Sequence, residues 1–95
     1  MPVFSFNYAT LKDTDAFQDY VTKAASLMKA ANVEVIVRAK YADTLLGKTK
    51  AEHVSAVFRY ADMEAAKGFY SSEEYLKIVP LRDRACEMSI HFYDE

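Results

Sequence analysis

Ninety-five residues, a net charge of −2 and a hydrophobic fraction of 52% describe one small globular domain spanning residues 1–95. No run of Lys or Arg marks a nucleic-acid surface, and nothing approaches the roughly 20 consecutive apolar residues of a membrane span. The lone Cys86 excludes an internal disulfide and a cysteine metal cluster, and its neighbours Ala85 and Glu87 do not activate a thiolate.

A chain this short buries only about 60–65% of its unfolded surface, yet it carries seven Tyr and six Phe. That surplus of large apolar groups predicts burial against a second copy, and hence a homodimer. The Met1-Pro2-Val3-Phe4 start lacks the basic and apolar regions of a signal peptide, so the expected location is the cytoplasm.

From Pro2 to Ala9 the chain alternates, with Phe4, Phe6 and Tyr8 on one side and Val3, Ser5, Asn7 and Ala9 on the other, which predicts a strand. Asp13 is placed to cap a helix, and Phe17, Val21, Ala24, Met28 and Ala31 recur at steps of three and four. The helix is predicted over 14–31, its stripe widened by Tyr20 and Leu27. The β-branched run Val33 to Arg38 reads as a second strand that Lys40 to Leu46 either prolongs or leaves. A turn is expected at Gly47-Lys48-Thr49-Lys50 and a third strand over His53 to Tyr60.

Asp62 opens a second helix with Ala65, Ala66, Phe69 and Tyr70 buried, and Ser72 starts a further helical turn carrying Tyr75, Leu76 and Val79. Pro80, lacking an N–H, is expected to end that helix in a short turn through Arg82 and Arg84. Met88, Ile90 and Phe92 alternate with Ser89, His91 and Tyr93 in a last strand. The order is βαββαβ: an α+β, ferredoxin-like fold with a four-stranded antiparallel sheet and helices on one face. Strands with apolar groups on both sides predict that the bare face meets the partner copy.

The run Ala65-Ala66-Lys67-Gly68-Phe69-Tyr70, then Ser72-Glu73-Glu74-Tyr75 and Val79-Pro80-Leu81-Arg82, resembles the signature of the DUF1330 family, whose function is uncharacterised. Asp13-Thr14-Asp15-Ala16-Phe17 and Val35-Ile36-Val37-Arg38 are similar to its opening and second-strand motifs. The chain departs from the family where Ala39-Lys40 replaces a Gly pair, Phe69 a Trp and Glu73 a Pro. The resemblance implies a dimeric α+β barrel with a cleft between sheet and helices. It implies no set activity, since that superfamily includes cofactor-free monooxygenases, isomerases and stress-response barrels.

Candidate site groups are few. Arg38, in register with Glu34 and Ile36, either pairs with an acid such as Glu34 or clamps a substrate oxyanion. Arg82 either points into the cleft or binds helix-terminal carbonyls. Tyr75 and Tyr70 are either buried with satisfied hydroxyls or donate to a bound oxyanion. His53 and His91 are the general acid or base candidates near neutral pH. Pro2 would act as an amine base only after loss of Met1. No metal and no cofactor is expected, because two histidines without clustered acids make no ligand set.

Those groups fit a cofactor-independent enzyme, of isomerase, cyclase or monooxygenase type, on a small oxyanion-bearing or enolisable molecule. The alternatives are a non-catalytic binder of a small molecule and a purely structural dimer. An enzyme requires a pocket with unpaired polar groups, and a structural dimer requires both arginines paired and no cavity.

Overall fold

The computed structural model describes residues 1–48 and 51–95. The strands are β1 (Val3–Leu11), β2 (Glu34–Lys40), β3 (Val54–Tyr60) and β4 (Cys86–Asp94), and the helices α1 (Thr14–Ala30), α2 (Met63–Ser71) and α3 (Glu73–Ala85). The sheet order is β2-β3-β1-β4, every pairing antiparallel. This is the expected α+β, ferredoxin-like arrangement, with the second crossover made of two helices.

The first crossover forms for local reasons. Asp13 accepts the Ala16 N–H through Oδ1 at 3.0 Å, Asp15 stands in the first turn and Lys29 in the last. Asn32 then takes φ 57, a left-handed conformation that Asn tolerates better than most residues, and this turns the chain into β2. The helix ends one residue before the expected boundary. Half of the expected turn at Gly47 to Lys50 lies outside the described residues.

Ser72 joins α2 to α3. Its hydroxyl donates to the Phe69 carbonyl at 2.7 Å and accepts the Tyr75 N–H at 3.2 Å, so one residue closes one helix and opens the next. Pro80 does not end α3, contrary to the reading from sequence; the helix runs on to Ala85. Pro80 is exposed and Leu76, whose carbonyl loses its partner, is 52% exposed, so water can replace the missing bond. Arg82 and Arg84 are therefore helical residues in the last turn, not turn residues.

Alternation along β1 separates two surfaces. Val3, Ser5, Asn7 and Ala9 are buried beneath the helices, where Val3, Phe58, Tyr60, Phe69, Tyr75 and Ile78 belong to the core. Phe4, Phe6 and Tyr8 lie on the reverse face beside Val57, Arg59, His91 and Tyr93. Tyr93 is 54% exposed and packs edge-on against Phe6.

The edge strand β2 contains a register shift between Val35 and Val37. An extra residue in one strand turns its following side chains to the other face. Val35 pairs with buried Phe58, whereas Val37 pairs with Val57 on the reverse face and Arg38 with Ala56 on the helix face. The expected common register of Glu34, Ile36 and Arg38 therefore does not exist. Glu34 instead reaches Arg59 at 3.4 Å.

Candidate functional site

Between α1 and the β2–β3 half of the sheet lies a cleft of about 340 Å³. Its volume has a local origin: Ala9, Ala24, Ala39 and Ala56 line it, and none of their side chains can fill the gap between helix and sheet. Phe17, Val21 and Met28 of α1 and Phe58 of β3 supply most of the remaining apolar wall. A half-open, mainly apolar cavity with a few polar groups is the usual form of a small-molecule site.

The first of those polar groups is Asn7, at the middle of β1 and only 6% exposed. Its Nδ2 donates to the Tyr70 hydroxyl at 3.1 Å, while its Oδ1 is buried with no hydrogen-bond partner among the described residues. A buried orphan acceptor costs about 1–3 kcal/mol, so its persistence calls for an explanation. Tyr70 holds the amide in place: it also receives the Tyr60 hydroxyl at 2.7 Å and lies 3.3 Å from Ser5 Oγ. Burial pushes the Tyr60 and Tyr70 phenols above their ordinary range, so both remain protonated.

Arg38 stands on the open, β2 side of the cleft, its guanidinium 5.8 Å from the centre of the Phe58 ring. Among the described residues it forms no ion pair. The bulge explains why, since Glu34 is carried to the other face and engages Arg59, which also binds Glu95 at 3.1 Å. Lys40 lies on the same rim.

On the α1 side the Tyr20 hydroxyl is 2.8 Å from that of Tyr75, and Arg82 donates to Tyr75 at 3.2 Å. Arg82 also meets Asp83 at 3.1 Å. Burial, followed by Tyr75, raises the Tyr20 phenol well above its ordinary range. Tyr75 and Arg82 do not line the cleft; Tyr20 does, and connects them to it.

Arg38 thus reaches the cleft directly, while Tyr70, Tyr75 and Arg82 sit behind its walls and act on it only through Asn7 and Tyr20. His53 and His91 are elsewhere. His91 pairs with Phe6 on the reverse face, and His53 stacks on Tyr41 at 4.9 Å with Nδ1 2.8 Å from the Ala51 carbonyl oxygen. The expected pocket containing Arg38, Arg82, Tyr75 and an imidazole together is not assembled within one chain. Among the described residues no three His, Cys, Asp or Glu side chains gather as a metal site.

Asn7 and Tyr20 were not singled out from sequence. Tyr20 reads as one more member of a helical stripe. Asn7 sits on the smaller and more polar side of β1, and its signal is that this side turns out to be the buried one.

A family model described as a domain of unknown function, DUF1330, matches residues 2–95. Among solved structures the chain is similar to RPA0582, a protein of unknown function from Rhodopseudomonas palustris. That match has a TM-score of 0.85 at 13% identity and covers 99% of this chain and 82% of that one. It is also similar to SnoaB, a cofactor-independent oxygenase from Streptomyces nogalater, with a TM-score of 0.73 at 10% identity over 99% of this chain and 92% of that one. The designed protein Foldit4 matches too, with a TM-score of 0.64 at 14% identity over 99% of this chain and 97% of its own. No curated protein matches the chain. At such identities the shared feature is the fold, and a fold shared by an oxygenase and a designed protein carries no activity with it.

Proposed function

Because the chain belongs to the DUF1330 family, a domain of unknown function, its role has to be argued from its own residues, and we propose that the α1–sheet cleft binds a small, largely apolar molecule bearing a hydroxyl group. The observation that carries this reading is Asn7, a residue lining the apolar cavity whose Oδ1 is buried without a hydrogen-bond partner among the described residues. Once the amide turns toward the cleft, a ligand O–H donating to Oδ1 removes the desolvation cost that the unliganded protein bears. Arg38, free of carboxylates among the described residues, supplies a cation for an oxyanion at the open side. The protein works as a homodimer, the reverse face of the sheet hiding Phe4, Phe6 and Tyr93 against a second copy.

The test compares 1-naphthol with 1-methoxynaphthalene, which has nearly the same shape but no O–H. Naphthol binds more tightly by about five- to tenfold, the usual net value of one hydrogen bond. Asn7→Leu removes the difference. Equal affinity for both compounds in the parent protein would sink the reading.

A second reading is turnover of an enolisable or phenolic ligand without a cofactor, and Arg38 favours it. A fixed cation beside a ligand oxygen stabilises the enolate or phenolate more than the neutral form. Oxygen uptake by the parent protein with 1-naphthol, lost in Arg38→Ala while binding of neutral 1-naphthol persists, supports this role. No uptake above the rate without protein leaves binding as the function.

A further inference from the structure

We propose that the cleft takes an apolar organic acid, its carboxylate held at the β2 rim by Arg38 and Lys40 together and its hydrocarbon body inside. This deepens, and rests on, the reading of the cleft as a ligand site. The bulge builds the rim. After the register shift between Val35 and Val37, Arg38 pairs with Ala56 and Lys40 with Val54, so both cations stand on the helix face. Both line the cavity, and among the described residues no Asp or Glu lines it with them. Neither forms an ion pair among the described residues. Acids are not scarce, since the chain has 14 Asp and Glu against 12 Lys and Arg; they are simply placed elsewhere. Glu34, the one acid of β2, is drawn to Arg59.

The surroundings of the two cations favour an organic carboxylate over an inorganic anion. The Arg38 guanidinium lies over the Phe58 ring at 5.8 Å, so the ring takes its face and leaves its edge N–H groups for a planar oxyanion. Behind it, Phe17, Val21, Met28 and Phe58 favour a hydrocarbon body and offer nothing to phosphate. Side chains two residues apart on a strand start about 6.6 Å from each other. Two long, flexible stems close that gap onto the two oxygens of one carboxylate. Arg38 and Lys40 are exposed, so each alone attracts an anion weakly and salt screens it. Selectivity comes from joining both cations to one apolar cavity. The cleft lies on the helix face, so the second copy assigned to the reverse face leaves it open.

The experiment titrates the full chain at neutral pH with 2-naphthoate, its neutral methyl-ketone analogue 2-acetonaphthone, and acetate, followed by amide chemical shifts. Arg38→Met and Lys40→Met each weaken 2-naphthoate by about three- to fivefold and together by about tenfold, as for exposed ion pairs. Neither substitution weakens 2-acetonaphthone, which has no charge to lose. Lys67→Met removes an exposed cation of α2 outside the cleft and leaves every affinity unchanged. Raising NaCl from about 0.02 M to about 0.5 M weakens 2-naphthoate severalfold and does not weaken the ketone. Acetate in about tenfold excess does not displace 2-naphthoate, because it has no body to bury.

A 2-naphthoate affinity that ignores both substitutions, or falls as far in Lys67→Met, overturns the proposal. Displacement by acetate also overturns it, since the rim would then be a general anion surface. The salt series needs only the parent protein, so equal salt dependence of acid and ketone overturns the proposal even where a variant does not fold. If 1-naphthol binds in the cleft while 2-naphthoate ignores Arg38 and Lys40, this inference falls and the cleft reading stands. If none of the naphthalene probes binds, both fall.

Discussion

Replacing Asn7 by leucine should make the protein more stable and less able to bind, and the size of both effects follows from the contacts around one amide. In the folded chain Oδ1 is buried without a partner among the described residues, a condition that costs about 1–3 kcal/mol. Leucine removes that cost. It also removes the 3.1 Å bond from Nδ2 to Tyr70, whose net value is about 0.5–1.5 kcal/mol. The Tyr70 hydroxyl is not stranded by the change, because Tyr60 still donates to it at 2.7 Å and Ser5 Oγ remains 3.3 Å away. Leucine has the same branching but is bulkier, and the adjoining cleft takes up the extra volume, so overpacking is slight.

The balance is a gain of about 1 kcal/mol, or roughly 4–8 °C in Tm for a domain of this size. Thermal unfolding by circular dichroism, at one fixed protein concentration, measures it. The same samples with 1-naphthol at a hundred times its Kd gain about 2.7 kcal/mol in the parent protein. The gain shrinks in Asn7→Leu. A variant destabilised by more than about 1 kcal/mol would show that Oδ1 already has a partner worth keeping, and the argument from the orphan acceptor would collapse.

Other outcomes follow from the two faces of the sheet and from the buried phenols. Phe6→Asp puts a charge into the surface assigned to the second copy and should raise the dimer Kd more than a hundredfold, about 3 kcal/mol, with the fold retained. Sedimentation shows this, and a parent protein that is monomeric at micromolar concentration refutes the assignment. His53→Ala and His91→Ala should leave 1-naphthol affinity within about twofold, since neither imidazole lines the cleft. A larger loss of affinity in either variant returns that histidine to the site. Burial raises the phenols of Tyr20, Tyr60 and Tyr70 above their unfolded values. Their contribution to stability is therefore complete below about pH 10 and is lost as the pH rises through the folded values. In an alkaline titration these three should form tyrosinate only together with unfolding, and smooth ionisation in the folded protein contradicts their burial.

Much of the fold is legible in local chemistry. Asp13, Asp62 and Ser72 cap the helices they were expected to cap, because each side-chain oxygen needs only an N–H three residues ahead. The period-two runs become strands for the same local reason. Arg38 could be picked out as a charge following the apolar run Val35-Ile36-Val37. Pro80 misled, since a missing N–H breaks a helix only where the orphaned carbonyl has no other partner, and exposure is not written in the neighbouring residues.

The amino-acid order by itself determined the elements, their caps and which residues alternate along each strand. Only the tertiary structure decided which side of β1 goes inward. Aromatic Phe4, Phe6 and Tyr8 look like core, but α1, α2 and α3 cover Val3, Ser5, Asn7 and Ala9, and this buries Asn7. The bulge in β2 then separated Glu34 from Arg38 and gave Arg38 to the cleft. The meeting of Tyr20 with Tyr75 and Met88, 55 and 68 positions away, likewise depends on how helices settle on a sheet. Periodicity reports a residue's face within its own element, whereas a site requires knowing what each face is packed against.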